Sequence, residues 1–261
     1  MSPDSPYRST ADGPRDEQER RSSQGPDIHS CAGQSFMKKF MWLLHSSLQS
    51  DQFYKLWMAA ETAWRRPESI VRWRRSAGTT EQRLSRPHDD LVGRPVALEE
   101  IWCAAAAVDE VREAIVSPER GLRGEFEGAV DFERSALALT RELVVIESKD
   151  SFEAGVTHLP LYRRNPLTTR AESHAHWRDI HGPMVVRGGY ITGYTQCYVE
   201  DAEADFDGFA IVHWDTAQAC EEFGRSDELL KRQLVDAPSF SDLSRLDVFS
   251  LHGPTHEVDL G

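Results

Sequence analysis

The chain has 261 residues, 39% hydrophobic and 28% charged, with a formal net charge of −13. That describes a soluble globular protein with material for one large domain or two of ordinary size. No apolar run approaches the ~20 residues that cross a bilayer and no hydrophobic signal core opens the chain, so neither membrane nor export is expected and a cytoplasmic protein is.

The charge is uneven: residues 150–261 carry 19 acidic and 9 basic groups. A surface this acidic repels phosphate backbones, which argues against nucleic acid as a partner. The counter-signal is Arg65, Arg66, Arg72, Arg74, Arg75, Arg83 and Arg86, read as a solvated strand and loop rather than an anion site. Cys31, Cys103, Cys197 and Cys220 lack C-x-x-C spacing, so reduced thiols are expected, with neither a zinc site nor a disulfide framework.

Residues 1–36 are rich in Ser, Pro, Asp, Arg, Gln and Gly and read as a disordered extension. Order is predicted to begin with a buried strand from Met37 to His45, then a helix from Ser50-Asp51 to about Arg65 with Phe53, Leu56, Trp57 and Ala60 on one face. Ile70 to Arg75 alternates apolar and basic, as a half-wet strand does. Ser76 to Pro95 is polar and punctuated by Pro and Gly, a long loop or edge excursion. Strand 97–103, helix 107–116 and strand 137–146 complete a first set.

The second half repeats that order: strand 156–163, helix 169–180, strands 190–199 and 209–214, helix 216–223 resuming over 227–234, and strand 246–251. At an offset of 120, Trp57 falls on Trp177 and Glu61 on His181; at 112, Trp102 falls on Trp214. Few identities at equivalent places are what an ancient tandem duplication leaves. The predicted fold is α+β: two ferredoxin-like βαββαβ units, residues 37–149 and 150–261, each a four-stranded antiparallel sheet with two helices on one face. Each sheet buries its uncovered face against the other, back to back, leaving an apolar chamber with an imidazole at its edge.

The chain is centred on His174-Ala-His176-Trp177-Arg178-Asp-Ile-His181-Gly182-Pro183. Helical spacing of three and four sets His174, Arg178 and His181 on one face, with Gly182-Pro183 as a stop. The segment reads either as a solvated helix end or as a pocket wall carrying an acid/base group, since histidine titrates near neutral pH.

Trp177-x-x-x-His181-Gly-Pro-Met-Val, preceded by the strand from Leu159 to Arg163 and by Asn165-Pro-Leu-Thr-Thr169, resembles the EthD family of the dimeric α/β-barrel superfamily. Asp207-Gly208-Phe209 to Trp214 fits that family's third strand. The first half is similar more weakly through Ser50-Asp-Gln-Phe53-x-x-x-Trp57 and Val96 to Trp102, with Glu61 where the family has histidine. The resemblance implies that two halves of one chain form the barrel that relatives build by dimerising. That superfamily includes cofactor-independent cyclases, isomerases, dehydratases, decarboxylases and oxygenases, besides haem-handling members, so fold alone does not choose a reaction.

There is no Gly-rich phosphate loop, nucleophile elbow or H-E-x-x-H. His174 and His176 point to different helix faces, and His174 with His181 has Arg178 between them, so no metal is expected. Proton transfer remains. His181 is the first candidate base; His158 and His213 are second candidates, each equally an ordinary half-buried strand histidine. In the first half, His45 and Glu61 would form a carboxylate-oriented histidine if they met. Trp177, Tyr190, Tyr194, Arg163 and Trp57 are candidate substrate contacts, the two tyrosines sharing a strand face. The expectation is a cofactor-independent lyase or isomerase acting on a small hydrophobic metabolite, aromatic or polyketide-derived. The alternatives are a non-catalytic binding protein and a haem-handling member, and the internal barrel is open to pairing further as a homodimer.

Overall fold

The computed structural model describes residues 37–79, 95–148, 155–251, 255–258 and 260. The expected extension over residues 1–36, together with Cys31, Arg83 and Arg86, lies outside them. The first half contributes β1 (Met37–His45), α1 (Ser50–Ala63), β2 (Ile70–Thr79), β3 (Pro95–Ala104), α2 (Val108–Val116), a short α3 (Leu122–Glu125) and β4 (Ala136–Ile146). The second contributes β5 (Val156–Tyr162), α4 (Arg170–His176), α5 (Gly182–Val186), β6 (Gly193–Val199), β7 (Gly208–Trp214), α6 (Ala217–Arg225), α7 (Asp227–Asp236) and β8 (Asp247–Leu251), with β9 (Thr255–Glu257) after it.

The strands run antiparallel in the order β3-β1-β4-β6-β7-β5-β8-β2, and β2 returns to β3, closing an eight-stranded barrel; β9 lies beside β2. Within it, β4-β1-β3-β2 and β8-β5-β7-β6 each have the strand order of a ferredoxin-like unit. The seams differ. β4 and β6 pair from Thr140↔Val199 to Ile146↔Tyr194, whereas β2 and β8 meet at Thr79↔Ser250.

Period-two alternation sorts the side chains. Met41, Leu43, Val96, Leu98, Leu159, Leu161, Phe209 and Ile211 fill the barrel interior as one apolar cluster. Phe40, Trp42, Leu44, Trp73 and Ala97 face outward under the helices of the first half, and Tyr162, Tyr194, Ala210, Val212 and Trp214 under those of the second. The expected chamber between back-to-back sheets is therefore absent among the described residues, because the inward side chains of both sheets interdigitate there.

The arginine stretch also departs from expectation, for β2 is not a strand with a freely wetted basic face. Arg74 points inward and bonds Glu100 at 2.5 and 2.7 Å; Lys39 bonds Glu100 at 2.9 Å and Glu142 at 2.7 Å. Burial alone would raise the Glu100 carboxyl, but Arg74 and Lys39 outweigh it and hold it down at about 2. Arg75, fully buried, points outward onto Glu99 at 3.0 Å, also fully buried, and bonds Glu61 at 3.1 Å. Trp57 and Trp73 donate to the same Glu99 carboxylate at 2.5 and 2.7 Å. The outer layer of the first half is thus packed with indole rings around a satisfied ion pair.

Candidate active site

The second half has a hollow where the first is filled. A cavity of about 400 Å³ lies between the outer face of β5 to β8 and the helices α4 to α7. Its wall includes Tyr162, Trp177, Val185, Ala210, Val212, Trp214, Phe223 and Phe240, mostly apolar, with His158, His181, Tyr194, Cys220 and Gln233 among the polar side chains. Its volume falls in the range of small-molecule pockets.

The histidine segment reaches this wall through an irregular helix. Thr169 caps α4 in a capping box with Glu172, so the helix starts where the sequence predicts. From Trp177 to His181 it widens into a π turn, and Gly182 N–H reaches back to the Trp177 carbonyl. Gly182-Pro183 is therefore not a stop: Pro183 occupies the first turn of α5, where its missing N–H costs little. The Trp177 carbonyl also accepts from Gln196 Nε2 at 3.0 Å. A Cβ on Gly182 would lie 2.5 Å from that nitrogen, so this close approach requires glycine.

The π turn also changes which histidines share a face. At roughly 4.4 residues per turn, positions five apart align. His176 and His181, not His174 and His181, converge on Asp236 at the end of α7: His181 Nδ1 to Oδ2 and His176 Nε2 to Oδ1, each 2.9 Å. A carboxylate only accepts, so these nitrogens carry the protons, and His181 Nε2 is left as an unprotonated acceptor. It has no hydrogen-bond partner among the described residues. Phe240 packs on the His181 ring with centroids 4.8 Å apart. Burial lowers the His181 pKa, and the Asp236 carboxylate opposes that only in part. The side chain is thus a neutral, oriented base in an apolar wall.

Around it, Trp177 Nε1 donates to the Tyr194 hydroxyl at 3.1 Å, Gln196 Nε2 donates to the same oxygen at 3.0 Å, and Tyr198 donates to Gln196 Oε1. Burial pushes the Tyr194 hydroxyl up to about 12, so it stays protonated. Gly208 leaves room for the rings of Tyr162 and Trp177, which a Cβ there would approach to 2.4 and 2.7 Å.

Of the predicted site residues, His181, His158, Trp177 and Tyr194 meet at this cavity. The others do not. His213 alternates to the inner face of β7, bonds Thr157 at 2.9 Å, and has its pKa lowered by burial. Tyr190 precedes β6 rather than sharing its face with Tyr194, and packs on Phe223. Arg163 is held by Asp205 at 2.9 and 3.1 Å and by the Arg245 carbonyl. His45 lies on the inner face of β1 against Phe249, while Glu61 lies on the outer face with Arg75, so the postulated pair does not form. Trp57 is core. Asp236, His176, Gln196 and Cys220 were not foreseen as site residues; 55 positions separate Asp236 from His181, and no local pattern links them.

Among the described residues there is no group of three or more metal-ligating side chains, and no helix long and apolar enough to cross a membrane. No family model matches the chain, and no curated protein matches its sequence. Solved structures do resemble it. One is a protein provisionally named a monooxygenase from Fusobacterium nucleatum, at TM-score 0.56 and 6% identity, covering 87% of this chain and 95% of that one. Another is an anthrone oxidase-like protein, at TM-score 0.55 and 11% identity, covering 85% and 93%. At such identities the likeness concerns architecture alone, and the architecture of this chain is that of a ferredoxin-like α+β barrel.

Proposed function

We propose that the chain is an enzyme of small-molecule metabolism, a cofactor-independent lyase or isomerase that moves a proton on a hydrophobic, ring-bearing substrate held in the cavity of the second half. The observation that supports this most is the His181–Asp236 pair on an apolar wall: Nδ1 is fixed by the carboxylate and Nε2 is left as base. In the substrate-bound state Nε2 takes a proton from carbon next to a carbonyl, and the imidazolium formed is stabilised by Asp236. The same proton then returns at another carbon or to a leaving oxygen. His158 is a further polar group of the wall, and Trp177 and Trp214 supply ring surfaces. The EthD resemblance of the Trp177-x-x-x-His181 motif agrees with this assignment. We read the halves, residues 37–149 and 150–261, as products of duplication of which the second keeps a pocket.

A second reading is favoured by the names of the two structural neighbours: the carbanion formed by the same deprotonation reacts with dioxygen instead of being reprotonated. Incubation of the protein with a panel of polycyclic phenolic ketones, anthrones included, under multiple turnover tests both. Product without oxygen uptake supports the lyase or isomerase, and stoichiometric uptake supports the oxygenase. Full activity in His181→Gln removes His181 from either. Quenching of the wall tryptophans without turnover across the panel would leave a binding protein, and a Soret band on adding haemin would revive the haem-handling alternative.

A further inference from the structure

We propose that Cys220 and His158 form a nucleophilic pair in the cavity wall, a covalent acceptor site for planar conjugated carbonyl compounds of the aryl enone type. The proposal uses the same cavity but not His181, and it stands without the proton-transfer reading. Cys220 lies on α6 and His158 on β5, with Sγ 3.7 Å from Nε2, within hydrogen-bond range for sulfur. Trp214 packs edge-on against the His158 ring, with centroids 4.8 Å apart at 64°, which holds the imidazole in place. Both residues border the cavity, whose aromatic rings suit a flat molecule.

The chain's other described thiols lack this setting. Cys103 and Cys197 are fully buried, and burial pushes them up to about 11 and about 12. The imidazole takes the thiol proton during attack. As Sγ bonds the β-carbon of the enone, the thiol proton passes to His158 Nε2 and the π electrons move onto the carbonyl oxygen. The enolate α-carbon then takes the proton back from the imidazolium. The whole enone is added, nothing leaves, and no oxidant is required.

The test is incubation of the full chain with 4-phenylbut-3-en-2-one, read by intact mass and peptide mapping. One equivalent is expected on Cys220, absent in Cys220→Ser and slowed by the saturated ketone 4-phenylbutan-2-one. His158→Gln is expected to slow addition by about tenfold or more. Labelling of Cys220 no faster in the native chain than in urea, or unchanged by His158→Gln, would overturn the proposal. Should His158→Gln fail to fold, the comparison of native with urea-unfolded chain and the protection by saturated ketone decide it. Turnover is not measured, so loss of the His181 reading leaves this result untouched.

Discussion

Replacing Asp236 with Asn tests the base independently of any substrate. The carboxylate accepts from two imidazoles, each at 2.9 Å. An amide of the same shape has one acceptor oxygen, so one imidazole N–H meets a donor instead. A hydrogen bond to a charged group contributes about 1.5–3 kcal/mol net, so losing one and weakening the other costs about 2–4 kcal/mol. Burial holds the His181 pKa below its ordinary 6.5 while Asp236 opposes the effect. Removing the carboxylate removes the opposition, and His181 in the variant should titrate lower still. Turnover should fall by as much as general-base catalysis supplies, about 10²–10⁴. Ring nitrogen shifts followed against pH, with His181→Gln identifying the signal, read both the pKa and the tautomer. A His181 pKa that rises or stays unchanged in the variant, or a wild-type proton on Nε2, would refute the argument.

Three further outcomes follow from the same geometry. His174, His181 and His213 all have lowered pKa values, with burial the largest cause. The unfolded chain therefore binds protons first, and the stability they contribute is complete above about pH 6.5 and lost below it, at up to about 1.4 kcal/mol per pH unit for each; urea midpoints that do not fall between pH 7.5 and 5 would contradict this. Glu99→Ala takes from the fully buried Arg75 its buried carboxylate, leaving it Glu61, and takes the acceptor from the Trp57 and Trp73 indoles, so it should cost about 3–5 kcal/mol. Arg75→Met with Glu99→Leu removes the buried charge and should recover part of that, the two indole N–H groups still lacking their acceptor; a single variant as stable as the double would show the pair is not coupled. Gly208→Ala places a Cβ against two buried rings and should cost about 1–3 kcal/mol while shifting Trp177 fluorescence, and an unchanged melting point would mean the wall is looser than drawn.

The order of elements was legible because alternation and helical spacing are local. β1 and β4 match the predicted 37–45 and 137–146 nearly residue for residue, and the Thr169 cap starts α4 as expected. That the two sheets cover each other was legible too, from their uncovered faces, whereas closure into a barrel rested on the family resemblance. Local signals fail at the π turn: nothing in Trp177 to His181 announces five residues where four would serve, so the sequence pairs His174 with His181 instead of His176. Arg75 misleads for a related reason. An alternating basic strand reads as half wet, and only the distant Glu99, Glu61 and two indoles show that its guanidinium is satisfied out of water.

The two halves solve the same packing problem in opposite ways. Each lays helices over the outer face of a four-stranded sheet, and each must fill or enclose the space beneath. In the first, Trp57, Trp64 and Trp73 supply bulk and Arg75–Glu99 satisfies the polar remainder, making a packed core among the described residues. In the second, Gly182 and Gly208 let Trp177 and Gln196 sit tightly against the sheet, while the π turn carries His181 out over Phe240 to Asp236. Space that a packed layer would occupy is left beside the imidazole. Because one closed barrel carries both layers, the filled half stabilises the sheet on which the hollow half rests. The expected consequence is directional: enlarging side chains beside the cavity, as in Ala210→Leu, should abolish ligand binding with little loss of stability. A comparable change on the outer face of the first half, Ala97→Leu, should overpack its core and cost about 1–3 kcal/mol with no effect on binding. Urea unfolding and ligand quenching of tryptophan fluorescence measure the two effects separately, and equal destabilisation by both substitutions would mean the second layer is as full as the first.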